Sequence, residues 1–234
     1  MKKKIINFYG IKFYNHDFKK LIGILDNGGY LVAPAASALS SIKMNTKYLE
    51  ALQKSSVAIL DSGFFCILLK IFKKKNVNKY SGYLFLKTFI NYLPIKKKKL
   101  LLVDPNYLES KENLLYLKKK NFNNIKSYIA PIYRKKIEDY KLLKIINSYK
   151  PKYVIINIGG ETQEILALFL NKNLNRNTSI ICTGAAIAFL TKRQAPINDF
   201  VDKYYLGWFV RLIYNPRVYF SRILNSLKLI KLFF

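Results

Sequence analysis

The chain has 234 residues and a mass of 27.3 kDa, long enough to bury a sizeable core as one large domain or two small ones. Hydrophobic residues make up 51% and aromatic residues 15%, which excludes a disordered chain. The formal charge is +28, from 41 Lys and Arg against 13 Asp and Glu. Such a charge suits a nucleic-acid binder, but the lysines fall in scattered clusters at 2–4, 96–99 and 118–120, not on one periodic face. No nucleic-acid-binding motif accompanies them, so no specific nucleic-acid partner is expected. The abundance of Lys, Ile, Asn and Tyr is what an AT-rich coding sequence imposes on any protein. An anionic membrane surface matches the charge at least as well, since basic segments are attracted to it by about 1 kcal/mol per Lys or Arg.

No apolar run approaches the ~18–20 residues of a membrane-spanning helix, and the basic N-terminus lacks the apolar core of a signal peptide. Cys66 and Cys182 each sit in apolar sequence and are expected to be buried free thiols in a reducing compartment. With His16 the sole histidine, no zinc site is expected.

In chain order, residues 5–14 read as one or two strands and "FKKLIGIL" (18–25) as a helix. "DNGGY" (26–30) is a turn, a strand follows at 30–33, and a helix begins near Ser37 after a Pro-containing loop. "NTKYLEALQKS" carries Tyr48, Leu49 and Leu52 at helical spacing. "VAIL" (57–60) is a short buried-type strand, and "FFCILLKIF" (64–72) is a helix. The alternation resumes with strand "KLLLVD" (99–104), helix "ESKENLLYLKKKN", strand "NIKSYIAP" and helix "IEDYKLLKIINSY". Strand "YVIINIGG" (153–160), helix "ETQEILALFLNKN", strand "TSIICTGAA" (178–186) and helix "AIAFLTK" complete it. Strands alternating with helices predict an α/β fold, a Rossmann-like parallel sheet covered by helices on both faces.

The character changes after residue 192, so the expected division is a core at 1–192 and a helical basic appendage at 193–234. In the last helix Phe220, Ile223, Leu224 and Leu227 form an apolar stripe beside Arg222, Asn225 and Lys228. The stripe suits either a membrane surface or packing on the core, and the two are compatible.

Ligands of open parallel sheets bind beyond the carboxyl ends of the strands. Asp61 and Gly63 follow "VAIL", Gly159 and Gly160 follow "YVII", and Gly184 follows "SIICT". Asp61 fits two roles, a helix cap or a general base at a strand tip. The glycines allow close approach to the backbone, and the helix after Gly160 offers free N–H groups to a phosphate. Gln163 and Glu164 lie in that helix's first turn, either at a cleft rim or as ordinary helix-start residues. No D-x-D pair occurs, so a bound diphosphate would be neutralised by arginines. Arg193, Arg211, Arg217 and Arg222 are concentrated in the tail of a lysine-dominated chain, as bidentate phosphate recognition favours.

Together these residues resemble the WecG/TagA/CpsF glycosyltransferases over about residues 30–225. "LDSG" (60–63) is similar to the family's Asp-Gly element with one residue inserted, and "GGETQE" (159–164) to its Gly-x-x-x-Gln-Glu element. "TGAAIAFL" matches the Gly-rich strand end, "RQAP" the Arg-Ala-Pro element, and "LGWFVRLIYNPRVYFSR" (206–222) the tail. The resemblance implies an inverting transfer, without metal or cofactor, of an N-acetylmannosamine-like sugar. The implied donor is a UDP-sugar and the implied acceptor a polyprenyl diphosphate-linked sugar, at the cytoplasmic face of a bacterial plasma membrane during surface polysaccharide assembly. It implies Asp61 as general base, a donor pocket lined by Gln163 and Glu164, and tail arginines on the diphosphate. The chain departs from the family pattern at "APAA" (33–36) for Thr-x-Asn-Ala, at "SGYLFL" (81–86) for Gly-Ser-Asp-Leu, at Ala188 for Asp and at Gly207 for Glu. Lost polar groups change what a site can bind. The competing expectations are therefore a different activated sugar, such as phosphoribosyl diphosphate, or a non-catalytic basic adaptor. A homo-oligomer is compatible with the aromatic tail.

Overall fold

The structure is a computed structural model that describes residues 5–134, 136–174 and 177–234. The lysine cluster at 2–4 lies outside the described residues. Strands β1 (Ile5–Phe8) and β2 (Ile11–Tyr14) form a hairpin across Tyr9 and Gly10, both at positive φ as a two-residue turn requires. Helix α1 (Phe18–Leu25) leads to β3 (Gly29–Val32), then to α2 (Ala36–Leu39) and α3 (Thr46–Gln53). Next come β4 (Val57–Ile59), α4 (Gly63–Lys73), α5 (Gly82–Asn91) and α6 (Leu93–Lys96). The second half runs β5 (Leu100–Asp104), α7 (Tyr107–Lys119), β6 (Ile125–Ile129), α8 (Tyr140–Tyr149) and β7 (Tyr153–Ile156). It closes with α9 (Thr162–Asn173), β8 (Ser179–Cys182) and α10 (Ala186–Leu190).

The eight strands form one sheet in the order β1-β2-β4-β3-β8-β7-β5-β6, parallel except for β1. Side-chain alternation splits each strand between two cores. Leu101, Val103, Val154, Ile156, Ile180 and Cys182 face the core under α2, α3, α4, α8 and α9. Leu100, Leu102, Tyr153, Ile155 and Ile181 face the core under α1, α5, α6, α7 and α10. The expected α/β sheet with helices on both faces is therefore present.

Two strands end earlier than their apolar runs suggested, at Ile156 and Cys182, because the residues beyond turn towards the following helices. Helix α5 had no counterpart in the sequence reading. Its Ser81 side chain accepts from the Leu84 N–H, and its Phe85, Leu86, Phe89 and Ile90 are buried in the second core.

The tail consists of α11 (Asp199–Lys203), α12 (Gly207–Tyr214), α13 (Pro216–Leu227) and a 3-10 turn (Lys228–Leu232). Pro216 starts α13, where its missing N–H costs nothing. Helix α13 lies against α2, yet its stripe stays open: Phe220 is 59% exposed, and Leu224 and Leu227 are also exposed. The docking is made by the turn that follows, where Leu229, Leu232 and Phe233 enter the first core and the Phe233 ring lies 5.0 Å from Phe8. Both cysteines are buried and free, and burial pushes the Cys66 thiol up to about 12. Among the described residues, no helix is long and apolar enough to cross a membrane.

Leu229 is fully buried and Leu224 is not. Leu229→Ala is expected to destabilise the fold by about 2–5 kcal/mol, and Leu224→Ala by no more than about 0.5 kcal/mol. Urea unfolding of the two variants checks the assignment.

Candidate active site

β3 and β8 are neighbours whose chains leave in opposite directions. After β3 the chain passes to α2 on one face, and after β8 to α10 on the other. Such a switch point opens a crevice at the carboxyl edge of the sheet. Gly82, the first residue of α5, closes one side of it. A Cβ there would lie 3.3 Å from the Cβ atoms of both Ala33 and Thr183.

Asp61, just beyond β4, does not cap its own helix. Ser62 does so, accepting from the Phe65 N–H, while Asp61 Oδ1 accepts from the Gly82 N–H at 2.7 Å. The carboxylate thus meets the positive end of α5. Burial pushes the Asp61 carboxyl above its ordinary range, and Asp202 adds to this; the Gly82 N–H, Arg211 and Lys79 oppose it. Lys79 and Asp202 are themselves paired at 2.6 Å, and the Ser81 hydroxyl donates to the other Asp202 oxygen. Tyr205 follows on the same tail segment, at φ 64°, and its ring occupies the space beside Gly63. A Cβ on Gly63 would fall 2.0 Å from Tyr205 Cδ1. Gly63 is therefore needed for the tail to pack over the Asp61 loop.

Gly159 and Gly160 lie exposed beyond β7, where a Cβ on Gly159 would meet no atom within 4 Å. Glu161, at φ 68°, is held by Ser41 at 3.0 Å and Asn45 at 2.8 Å, which ties this loop to the start of α3. Gln163 and Glu164 are almost wholly buried behind it. Gln163 Oε1 accepts from the Gly184 N–H at 3.0 Å, and its Nε2 donates to Glu164 Oε1 at 2.9 Å. Gln163 thus holds the β8 loop and is itself held by Glu164, with Gly184 in the left-handed region at φ 59°. Burial holds the Glu164 carboxyl up at about 7 against the Gln163 amide and backbone N–H groups.

The four arginines part company. Arg193 bonds Glu112 at 2.9 Å and lies 3.7 Å from Glu109, both on α7. Arg211 lies over the Phe189 ring, 4.6 Å from its centroid, with a buried Nε that has no hydrogen-bond partner. Arg217 and Arg222 are exposed, and Arg222 stacks on Tyr219. The structure places Asp61 and Gly63 on one side of Gly82, where Arg211 acts on the Asp61 carboxyl through its charge, and joins Gln163, Glu164 and Gly184 by hydrogen bonds on the other.

Sequence reasoning missed Lys79, Gly82, Asp202 and Tyr205, which become neighbours of Asp61 only through folding. It also missed Asp104, Asn113 and Asn157. Asp104 is fully buried, and its Oδ1 accepts from Asn113 and Asn157, each at 2.8 Å. The signal was present, because Asp104 ends an apolar strand much as Asp61 follows one.

Two outcomes follow from this packing. Gly63→Ala is expected to undock the tail while leaving the sheet intact, seen as much faster proteolysis after residue 198 at an unchanged far-UV CD spectrum. Glu164 loses its proton near pH 4.5 in the unfolded chain but near 7 when folded, so stability falls as pH rises through that window. Glu164→Gln should flatten this fall, on the order of 1 kcal/mol per pH unit, in urea midpoints between pH 4.5 and 7.

A search of curated proteins finds no match for the chain. The model of the glycosyl transferase WecG/TagA/CpsF family matches residues 6–234, nearly the whole length, and spans the Asp61 loop, the Gln163–Glu164 turn and the arginine tail. The chain belongs to the WecG/TagA/CpsF family of glycosyltransferases and is thus an enzyme that transfers a sugar from an activated donor to an acceptor.

Proposed function

We propose that the protein is an inverting glycosyltransferase that moves an N-acetylmannosamine-like sugar from a UDP donor to a polyprenyl diphosphate-linked acceptor. It acts at the inner face of a bacterial plasma membrane, in assembly of a surface polysaccharide. The observation that carries this reading is Asp61, a carboxylate at a strand tip that accepts from the Gly82 N–H at the start of α5 and is raised by burial, a rise that the tail cation Arg211 opposes.

The acceptor hydroxyl oxygen attacks the anomeric carbon as the bond from that carbon to the UDP oxygen breaks. One displacement inverts the centre. Asp61 takes the hydroxyl proton; the Gly82 N–H occupies Oδ1, which leaves Oδ2 for the transfer. A raised carboxyl is a stronger base than an ordinary one, closer to what proton transfer near neutral pH requires. Negative charge grows on the departing diphosphate, and the unpaired Nε of Arg211 supports a role in receiving it, with Arg217 and Arg222 further along the tail. In this conformation Arg193 is held by α7 glutamates, so its role is to fix the loop after α10.

Gln163 and Glu164 shape the donor pocket from behind by setting the Gly184 loop, while the open space at Gly159 and Gly160 admits the donor itself. Membrane association is supported by the exposed Trp208, Phe209, Phe220 and Leu224 beside Arg217 and Arg222 on α12 and α13.

A thermal-shift panel of UDP, GDP, CMP and phosphoribosyl diphosphate tests the donor class, and selective stabilisation by UDP is expected. Asp61→Asn should lower transfer by about 10²–10⁴-fold while UDP still stabilises the variant. Transfer that survives in Asp61→Asn would remove Asp61 as the base.

A further inference from the structure

β3, β8, β7 and β5 are in continuous register, through Val32 with Cys182, Cys182 with Ile156, and Ile156 with Val103. The next residue of each strand end therefore forms a row across the sheet edge: Ala33, Thr183, Asn157 and Asp104. Two backbone bonds carry the register into the row, Ala33 N–H to the Cys182 carbonyl at 3.1 Å and Asn157 N–H to the Val103 carbonyl at 2.8 Å. By alternation, all four side chains point towards the face covered by α5, α7 and α10.

Three of these side chains are polar and at least nine-tenths buried, and each keeps one atom without a hydrogen-bond partner: Thr183 Oγ1, Asn157 Oδ1 and Asp104 Oδ2. A lone buried orphan costs about 1–3 kcal/mol, so three in one row call for an occupant. The orientation of Asn157 is fixed. Asp104 Oδ1 accepts from its Nδ2, and the reverse placement would set two oxygens against each other. Asn113 donates to the same Asp104 oxygen from α7 and anchors it. Asn157 Oδ1 is thus a held acceptor, and Thr183 Oγ1 beside it can accept or donate.

The place of the row indicates what would lie there. Strands are about 4.8 Å apart, so the β7 and β5 ends are roughly three and four spacings from β4, which carries Asp61. An extended nucleotide sugar with its anomeric carbon at Asp61 and its diphosphate over the β3–β8 crevice would bring its nucleoside end to β7 and β5. A ribose offers two neighbouring hydroxyl donors, the chemistry that a row of acceptors takes.

Building on the donor reading above, we propose that Asn157 and Thr183, with Asp104 as the positioning residue, form the ribose subsite of the donor nucleotide. Asn157 Oδ1 accepts one ribose hydroxyl and Thr183 Oγ1 meets the other, while Asp104 holds the Asn157 amide in place.

Calorimetric titration of the full chain with UDP, 2′-deoxy-UDP and 3′-deoxy-UDP tests this. Loss of either hydroxyl is expected to weaken binding about tenfold. Asn157→Ala should bring at least one deoxy analogue to within about twofold of UDP, and Asp104→Asn should do so in part. Equal binding of all three nucleotides by the wild type would overturn the subsite and assign the row to buried water, with the UDP-donor reading intact. Retained discrimination in a folded Asn157→Ala would also overturn it, placing ribose recognition elsewhere. If that variant does not fold, the wild-type titration decides. No binding of UDP at all would overturn the donor reading and this subsite together.

Discussion

The site depends on the parallel register of β4, β3, β8, β7 and β5, which brings their carboxyl ends to one edge of the sheet. The chain leaves β3 and β8 towards opposite faces, and polar side chains from distant segments meet at the edge beside the start of α5. Gly82 is the point of contact. Its N–H meets Asp61, while its bare Cα lets Ala33 and Thr183 approach from the other side. A larger residue would separate the two halves of the site.

Electrostatics follow from the same arrangement. In a chain with 41 basic and 13 acidic residues, several acids hold tertiary structure instead of balancing surface charge. Asp202 ties the tail to Lys79 and Ser81, Glu161 ties the β7 loop to α3, and Glu109 and Glu112 fix Arg193. The buried Asp61 and Glu164 meet too little compensating charge to stay in the ordinary carboxylate range. Arg211 opposes the rise of the Asp61 carboxyl, and Tyr205 packed on Gly63 sets the course of the chain into α12, which carries it.

The tail has two characters, each set by packing. Its last turn is built into the same core as Phe8 and Phe65, whereas α12 and α13 bury no residue and present aromatic and aliphatic side chains beside arginines. A helix anchored at its far end with an uncovered apolar stripe can meet a lipid surface without leaving the domain.

The sequence by itself determined the fold class and the motif positions. Apolar runs of strand length alternate with helical patterns, and a parallel α/β sheet must place the residues after each strand at one edge. It missed α5, although the Gly82 N–H at that helix start donates to Asp61. It could not assign Gln163 and Glu164, because being early in a helix does not fix whether a side chain faces a cleft or, as here, is buried behind a loop. Composition grouped four arginines, and only the fold separated Arg193, facing two glutamates, from Arg211 near Asp61. Local pattern is a property of neighbours along the chain. Which carboxylate meets which cation is decided by contacts between segments far apart along the chain, 81 residues for Arg193 and Glu112 and 123 for Lys79 and Asp202, and those exist only once both cores have packed.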